Sequence, residues 1–153
     1  MITDYNSWIA YFRSLVSSHI QLQDFVFGGS QRILNRERMD LNYPCLWLEL
    51  PDVVPFSGQT DLRLRFVTGL HILQATPQDF EQEDDAMNST YQIALDILQK
   101  LIDDADAGLF DFDVRTAVMQ PRPPFSGDND FGWHLEFDLS ISASDCLTEE
   151  NWT

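Results

Sequence analysis

The residues of this chain whose types and spacing could do chemistry fall into a few groups, and none completes a known signature. His134, Glu136 and Asp138 alternate with apolar positions, so they share one strand face, and His71 lies in a second alternating stretch that could join the same sheet surface. Imidazoles and carboxylates together are a metal-ligand set. Consecutive same-face residues of one strand lie about 7 Å apart, so a compact site needs several strands to converge. An ordinary polar sheet face explains the pattern at lower cost, and no metal ligand is assigned. Gly28-Gly29-Ser30 lacks the glycine that a nucleophile elbow carries after its serine, and no phosphate-cradling glycine loop is present. Asp103-Asp104 and Asp111 with Asp113 suggest glycosidase carboxylates only by composition, because nothing sets them across a cleft. Cys45 and Cys146 are too few for a disulfide framework and read as reduced thiols. The expectation is therefore no enzyme, no catalytic residue and no cofactor.

Charge carries more information. The net charge of -16 disfavours nucleic acid or an anionic membrane as a binding surface. Up to Gln78 there are 7 acidic and 6 basic residues, whereas from Asp79 onward there are 18 acidic and 3 basic. The acidic half serves solubility, or it forms a surface that meets arginines of another subunit or lines a passage for nucleic acid; Glu136 and Asp138 belong to that surface. Arg32, Arg36 and Arg38 form the one basic cluster, either a solvated loop or a set of forked cations for a neighbouring subunit's carboxylates. Head-to-tail contact would set the arginine-bearing half against the acidic half and close a ring.

The elements that must position these groups are legible from periodicity. Thr3 or Asp4 can cap a helix whose apolar stripe is Tyr5, Trp8, Ile9, Phe12, Leu15 and Val16, ending near His19. After Gly28-Gly29-Ser30, the polar stretch 31–42 has no assignable structure. Leu46, Leu48 and Leu50 alternate with Trp47 and Glu49 as a strand. In 61–73, Leu62, Leu64, Phe66, Leu70 and Ile72 share one face and Arg63, Arg65, Val67, His71 and Leu73 the other. Thr76-Pro77 reads as a cap with proline at the first position of a second helix, with a stripe of Met87, Tyr91, Ala94, Leu95, Leu98, Leu101 and Ile102 and a stop at Gly108. Phe110, Phe112, Val114, Thr116 and Val118 form a further strand. The last strand alternates without a break, Phe131, Trp133, Leu135, Phe137, Leu139 and Ile141 toward a core and Gly132, His134, Glu136, Asp138 and Ser140 toward water.

An internal echo links the halves: Pro55-Phe56-Ser57-Gly58 and Pro124-Phe125-Ser126-Gly127 each stand before a strand, in a loop between two strands. Turn chemistry accounts for them, or Phe56 and Phe125 are exposed tips that dock on a neighbour. The expected fold class is α+β, two helices on one face of an antiparallel sheet built from two long β-hairpins (α-ββ-α-ββ), as a single domain over 1–146 with an acidic tail over 147–153. The amino terminus shows no secretory pattern, which makes the cytoplasm the default compartment.

That order of helix, hairpin, helix, hairpin over residues 4–143 resembles the tail terminator and tail-completion proteins of long-tailed bacteriophages. The resemblance rests on element order, length and long hairpins and transfers no motif residue by residue. It implies a structural homo-oligomer, typically a hexameric ring, that caps the tail tube and joins it to the head or neck in the virion tail, assembled in the host bacterial cytoplasm. Its partners would be tail tube and neck proteins, with DNA passing through without specific binding and no membrane involved. Under that reading Arg32, Arg36, Arg38, Phe56 and Phe125 lie at the subunit contact. The alternative is a small cytoplasmic ligand-binding or enzymatic α+β domain with a pocket between helices and sheet near His71 and His134.

Overall fold

The computed structural model describes residues 1–57, 61–76, 80–124 and 130–143, with 38 and 39 by backbone alone. The first helix, α1 (Tyr5–Ser18), opens on a capping box: Asp4 Oδ1 accepts from the Ser7 amide at 2.7 Å and Ser7 Oγ accepts from the Asp4 amide at 2.9 Å. Asp4 rather than Thr3 is thus the cap. Trp8, Phe12, Leu15 and Val16 are buried, as their spacing dictates.

The strand β1 (Asp24–Phe27) follows, then α2 (Ser30–Met39) and β2 (Cys45–Leu48). β1 and β2 pair in parallel, so α2 is the crossover that parallel strands require. β3 (Asp52–Ser57) and β4 (Leu62–Ala75) pair antiparallel, and β4 also pairs with β2 and with β7 (Asp130–Ser142). Between β4 and β7 run α3 (Phe80–Asp106), the two-residue β5 (Asp111–Phe112), a 3-10 turn (Val114–Thr116) and β6 (Val118–Arg122). The central order is β1-β2-β4-β7-β5, with β3 added to β4 and β6 to β7.

The protein is α+β, but with three helices and a seven-stranded mixed sheet among the described residues. The expected purely antiparallel sheet under two helices is corrected at one edge by β1, α2 and β2. α1 and α3 cover one sheet face over the main core, where Trp8 stacks on Phe66 at 5.4 Å and Phe12 meets Phe137 at 5.8 Å between ring centroids. α2 covers one end of the other face, where Ile33 closes a second core of Val26, Cys45, Trp47 and Leu73. All of β2 is buried because both of its faces are covered there.

Three further expectations change. The buried stripe of α3 is Ala86, Thr90, Ile93, Ala94, Ile97, Leu101 and Asp104, sharing only Ala94 and Leu101 with the apolar count. Thr90 and Asp104 belong to it because their polar atoms are satisfied: Thr90 Oγ1 donates to the Ala86 carbonyl at 2.7 Å, and Asp104 accepts from Tyr11 and Lys100. The strand expected from Phe110 to Val118 is broken at Asp113, whose carboxylate accepts from the Arg115 amide and starts the 3-10 turn. The wet face of the last strand is dry at its start: Gly132 and His134 are buried beside α2's layer. A Cβ at Gly132 would stand 1.6 Å from the Ile72 carbonyl oxygen, so only glycine lets β4 and β7 approach there.

Gly108 ends α3 as expected, with a positive φ of 83°. Pro55, Phe56 and Ser57 lie within β3 itself and not in a loop. Gly58, Pro77, Asp79, Phe125, Ser126, Gly127, Cys146 and the tail lie outside the described residues.

Candidate functional site

The pairing register lays Val26, Trp47, His71, His134 and Gln120 side by side across five strands. Cross-strand neighbours on one face are the unit of contact in a sheet, and here they stack: Trp47 on His71 at 4.2 Å and 13°, His71 on His134 at 4.3 Å and 20°. Trp47 Nε1 donates to the Gly28 carbonyl at 2.7 Å, which anchors the end of the stack under α2.

Glu49 stands on the next same-face row, just past β2. Leu48 pairs with Leu70 and Asp52 with Val67, so three residues (49–51) oppose two (68–69). That is a β-bulge, a device that bends a strand and re-aims side chains, and Pro51 within it needs no amide partner. The Glu49 amide still donates to the Gly69 carbonyl at 2.9 Å. Across from it Gly69 has no side chain, and a Cβ there would stand 2.3 Å from His134 Nε2 and 2.7 Å from Glu49 Oε2. The gap lets Glu49 fold over the imidazoles.

Glu49 Oε1 lies 2.5 Å from His71 Nε2 and 3.2 Å from His134 Nε2. The first contact is a hydrogen bond; the second is out of line for one, so the buried His134 Nε2 has no hydrogen-bond partner. His71 Nδ1 is likewise unpartnered, consistent with a proton on Nε2 donated to Glu49 and a bare acceptor on Nδ1. The imidazoles beside it, His134 first and His71 second, hold the Glu49 carboxyl far below the usual range. Burial pushes the His71 pKa down against the opposing pull of Glu49, which keeps the ring neutral. Two imidazoles and a carboxylate with ligand atoms within 4.8 Å of one another are a donor set for a metal ion.

Beyond Gly69 the same face opens into a shallow cleft of about 340 Å³, where Glu49, Asp52, Glu136 and Asp138 contribute carboxylates and Thr116 and Val67 complete the walls. Asp138 accepts from Thr116 Oγ1 at 2.9 Å and lies 3.8 Å from Arg65 Nε. Further out, β3 is exposed at every residue, and Val54, Phe56 and Val67 share this uncovered face with Arg63 and Arg65. Arg63 lies over the Phe56 ring at 6.0 Å and pairs with Asp111.

The structure brings His71 and His134 together, as the sheet surface allowed, with Glu49 as the carboxylate. Glu136 remains 3.7 Å from His134 Nδ1 and Asp138 faces the cleft. The pair faces away from α1 and α3, so a pocket between those helices and the sheet does not include it. Glu49 was missed although its alternation with Leu48 already placed it on the Trp47 face; what was lacking was the neighbour across the strand. The arginines divide. Arg36 is held by Asp24 at 2.7 Å and Asp40 at 3.0 Å, Arg32 is exposed and donates to the Phe27 carbonyl at 3.2 Å, and the Arg38 side chain lies outside the described residues. Phe56 is exposed on β3 and Phe125 lies outside the described residues. Among the described residues no helix is long and apolar enough to cross a membrane. No family model, no curated protein and no solved structure matches this chain.

Proposed function

We propose that this chain is a ring-forming structural protein of a phage or prophage tail, of the terminator or completion type, which caps the tail tube and joins it to the head or neck. The observation that carries the reading is the uncovered end of the sheet: Val54, Phe56 and Val67 are exposed beside Arg63 and Arg65, on a ribbon of β3 and β4, the latter paired on its other side to β7, that α2 leaves bare. An apolar ribbon of this kind is a docking surface, and its occupant is a second copy of the chain. The charge layout supports that choice, since 6 of the 9 basic residues precede Gln78 and 18 of the 25 acidic residues follow it. Two acidic halves repel; head-to-tail contact sets ribbon and arginines against the acidic half and closes on itself. Arg36 is committed to Asp24 and Asp40, whereas Arg32 and Arg65 are exposed toward a neighbour, the latter with only a long contact to Asp138. DNA would pass an acidic wall without adhering.

Light scattering coupled to gel filtration, with negative-stain imaging, tests the reading. Rings or concentration-dependent oligomers are expected for the unaltered protein, and Phe56→Asp should shift them at least tenfold toward monomer while leaving circular dichroism unchanged. A strict monomer at every concentration overturns the proposal.

A further inference from the structure

We propose that Glu49, His71 and His134 bind a divalent transition-metal ion of the zinc class, with an open coordination position toward the acidic cleft. The donor chemistry suits such an ion: imidazole nitrogen and carboxylate oxygen are its ordinary ligands, and three protein ligands with a fourth position left to solvent is the pattern of an open site. Ligands of a tetrahedral ion at bonds of about 2.0–2.1 Å stand about 3.3 Å apart. Here His134 Nε2 and Glu49 Oε1 are 3.2 Å apart and His71 Nε2 and Glu49 Oε1 2.5 Å, so a turn of the half-exposed Glu49 side chain, with rotation of the His134 ring out of its stack on His71, aims the three donors at one ion.

His134 Nε2 decides between a ligand site and a merely structural contact. One carboxylate oxygen already pairs with His71, and a second imidazole nitrogen, buried without a hydrogen-bond partner, stands 3.2 Å from the same oxygen. An ion between the three would satisfy it. The surroundings agree. Glu136 Oε1 lies 3.7 Å from His134 Nδ1, on the side where metal-bound imidazoles ordinarily keep a carboxylate that orients them. Trp47 fixes the plane of His71 by stacking. Gly69 is the position where any side chain would occupy the space that the ligand atoms share. Asp52, Glu136 and Asp138 give the approach from the cleft a negative potential that favours a cation.

The test uses full-length protein stripped with chelator and titrated with zinc and, for its visible spectrum, with cobalt. Calorimetry should give one ion per chain, and cobalt should produce the intense visible bands of a low-coordinate site. His134→Gln and Glu49→Gln should each weaken binding at least tenfold, with far-UV circular dichroism confirming the fold. His19→Gln, which alters the surface pair with Asp96, should change nothing. If His134→Gln does not fold, Glu49→Gln carries the test, since its side chain is the most exposed of the three. Absence of stoichiometric binding, binding unchanged in Glu49→Gln, or binding lost in His19→Gln each overturns the site.

Discussion

Two of the buried polar clusters among the described residues are finished to different degrees. Between α1 and α3, Asp104 accepts from Tyr11 Oη at 2.8 Å on one oxygen and from Lys100 Nζ at 2.7 Å on the other, so each carboxylate oxygen has a partner. On the α2 side of the sheet, Glu49, His71 and His134 converge with two ring nitrogens left over and a cleft at the door. A closed cluster of this kind fixes how two helices meet. An open one spends folding free energy on unpaired polar atoms, and the structure persists because the stack and the α2 layer hold it from behind. The contrast teaches where to look for a ligand: not at the more deeply paired carboxylate but at the one whose partners outnumber its hydrogen bonds.

The largest expected effect breaks the support of the open cluster. Trp47→Ala removes a buried ring, its stacking on His71 and its bond to the Gly28 carbonyl, and should cost about 3–5 kcal/mol in urea unfolding. A cost under about 1 kcal/mol would show that the α2 layer does not hold the histidines. Next comes a matched pair. Asp104→Ala strands the Tyr11 hydroxyl and is expected to cost about 1–3 kcal/mol. Glu49→Ala should cost less, because the cleft admits water to His71 Nε2. Equal costs in the same titration would erase the distinction between closed and open.

The difference between the clusters also marks what was legible in the chain. Strict alternation predicted β4 and β7 face by face, and the register confirms it from Arg63 opposite Ser142 to Leu73 opposite Gly132. α1 and the stop at Gly108 were readable for the same reason: the signal is local. What was not readable is what tertiary contacts impose. α2 is polar on average and is held by Ile33 against the sheet, so no apolar stripe announced it, and β1, four residues long, is a strand only because β2 runs beside it. The α3 stripe was displaced because Thr90 and Asp104 are buried polar residues whose partners lie on α3 itself and, for Asp104, on α1 as well. Glu49 belongs to the site through Gly69 and the bulge at 49–51, which no spacing within one strand encodes.

The smallest effect sharpens the comparison through pH. Burial first, and the hydrogen bond to Asp104 second, raise the Tyr11 pKa well above its ordinary value of 10.0. In the unfolded chain Tyr11 loses its proton near that ordinary value, whereas in the fold it keeps it. The unfolded state therefore binds fewer protons above pH 10, so the Tyr11 contribution is whole below pH 10 and declines as pH rises beyond it. Tyr11→Phe should cost about 1 kcal/mol at neutral pH, the net worth of one hydrogen bond. Above pH 10 its stability should fall less steeply than that of the unaltered protein. Ionisations common to both proteins cancel in the difference between the two profiles, which isolates Tyr11. Parallel profiles across pH 9 to 11 in urea unfolding would mean that the hydroxyl is not held as a neutral donor, and the helix-side cluster would then be no more closed than the one around Glu49.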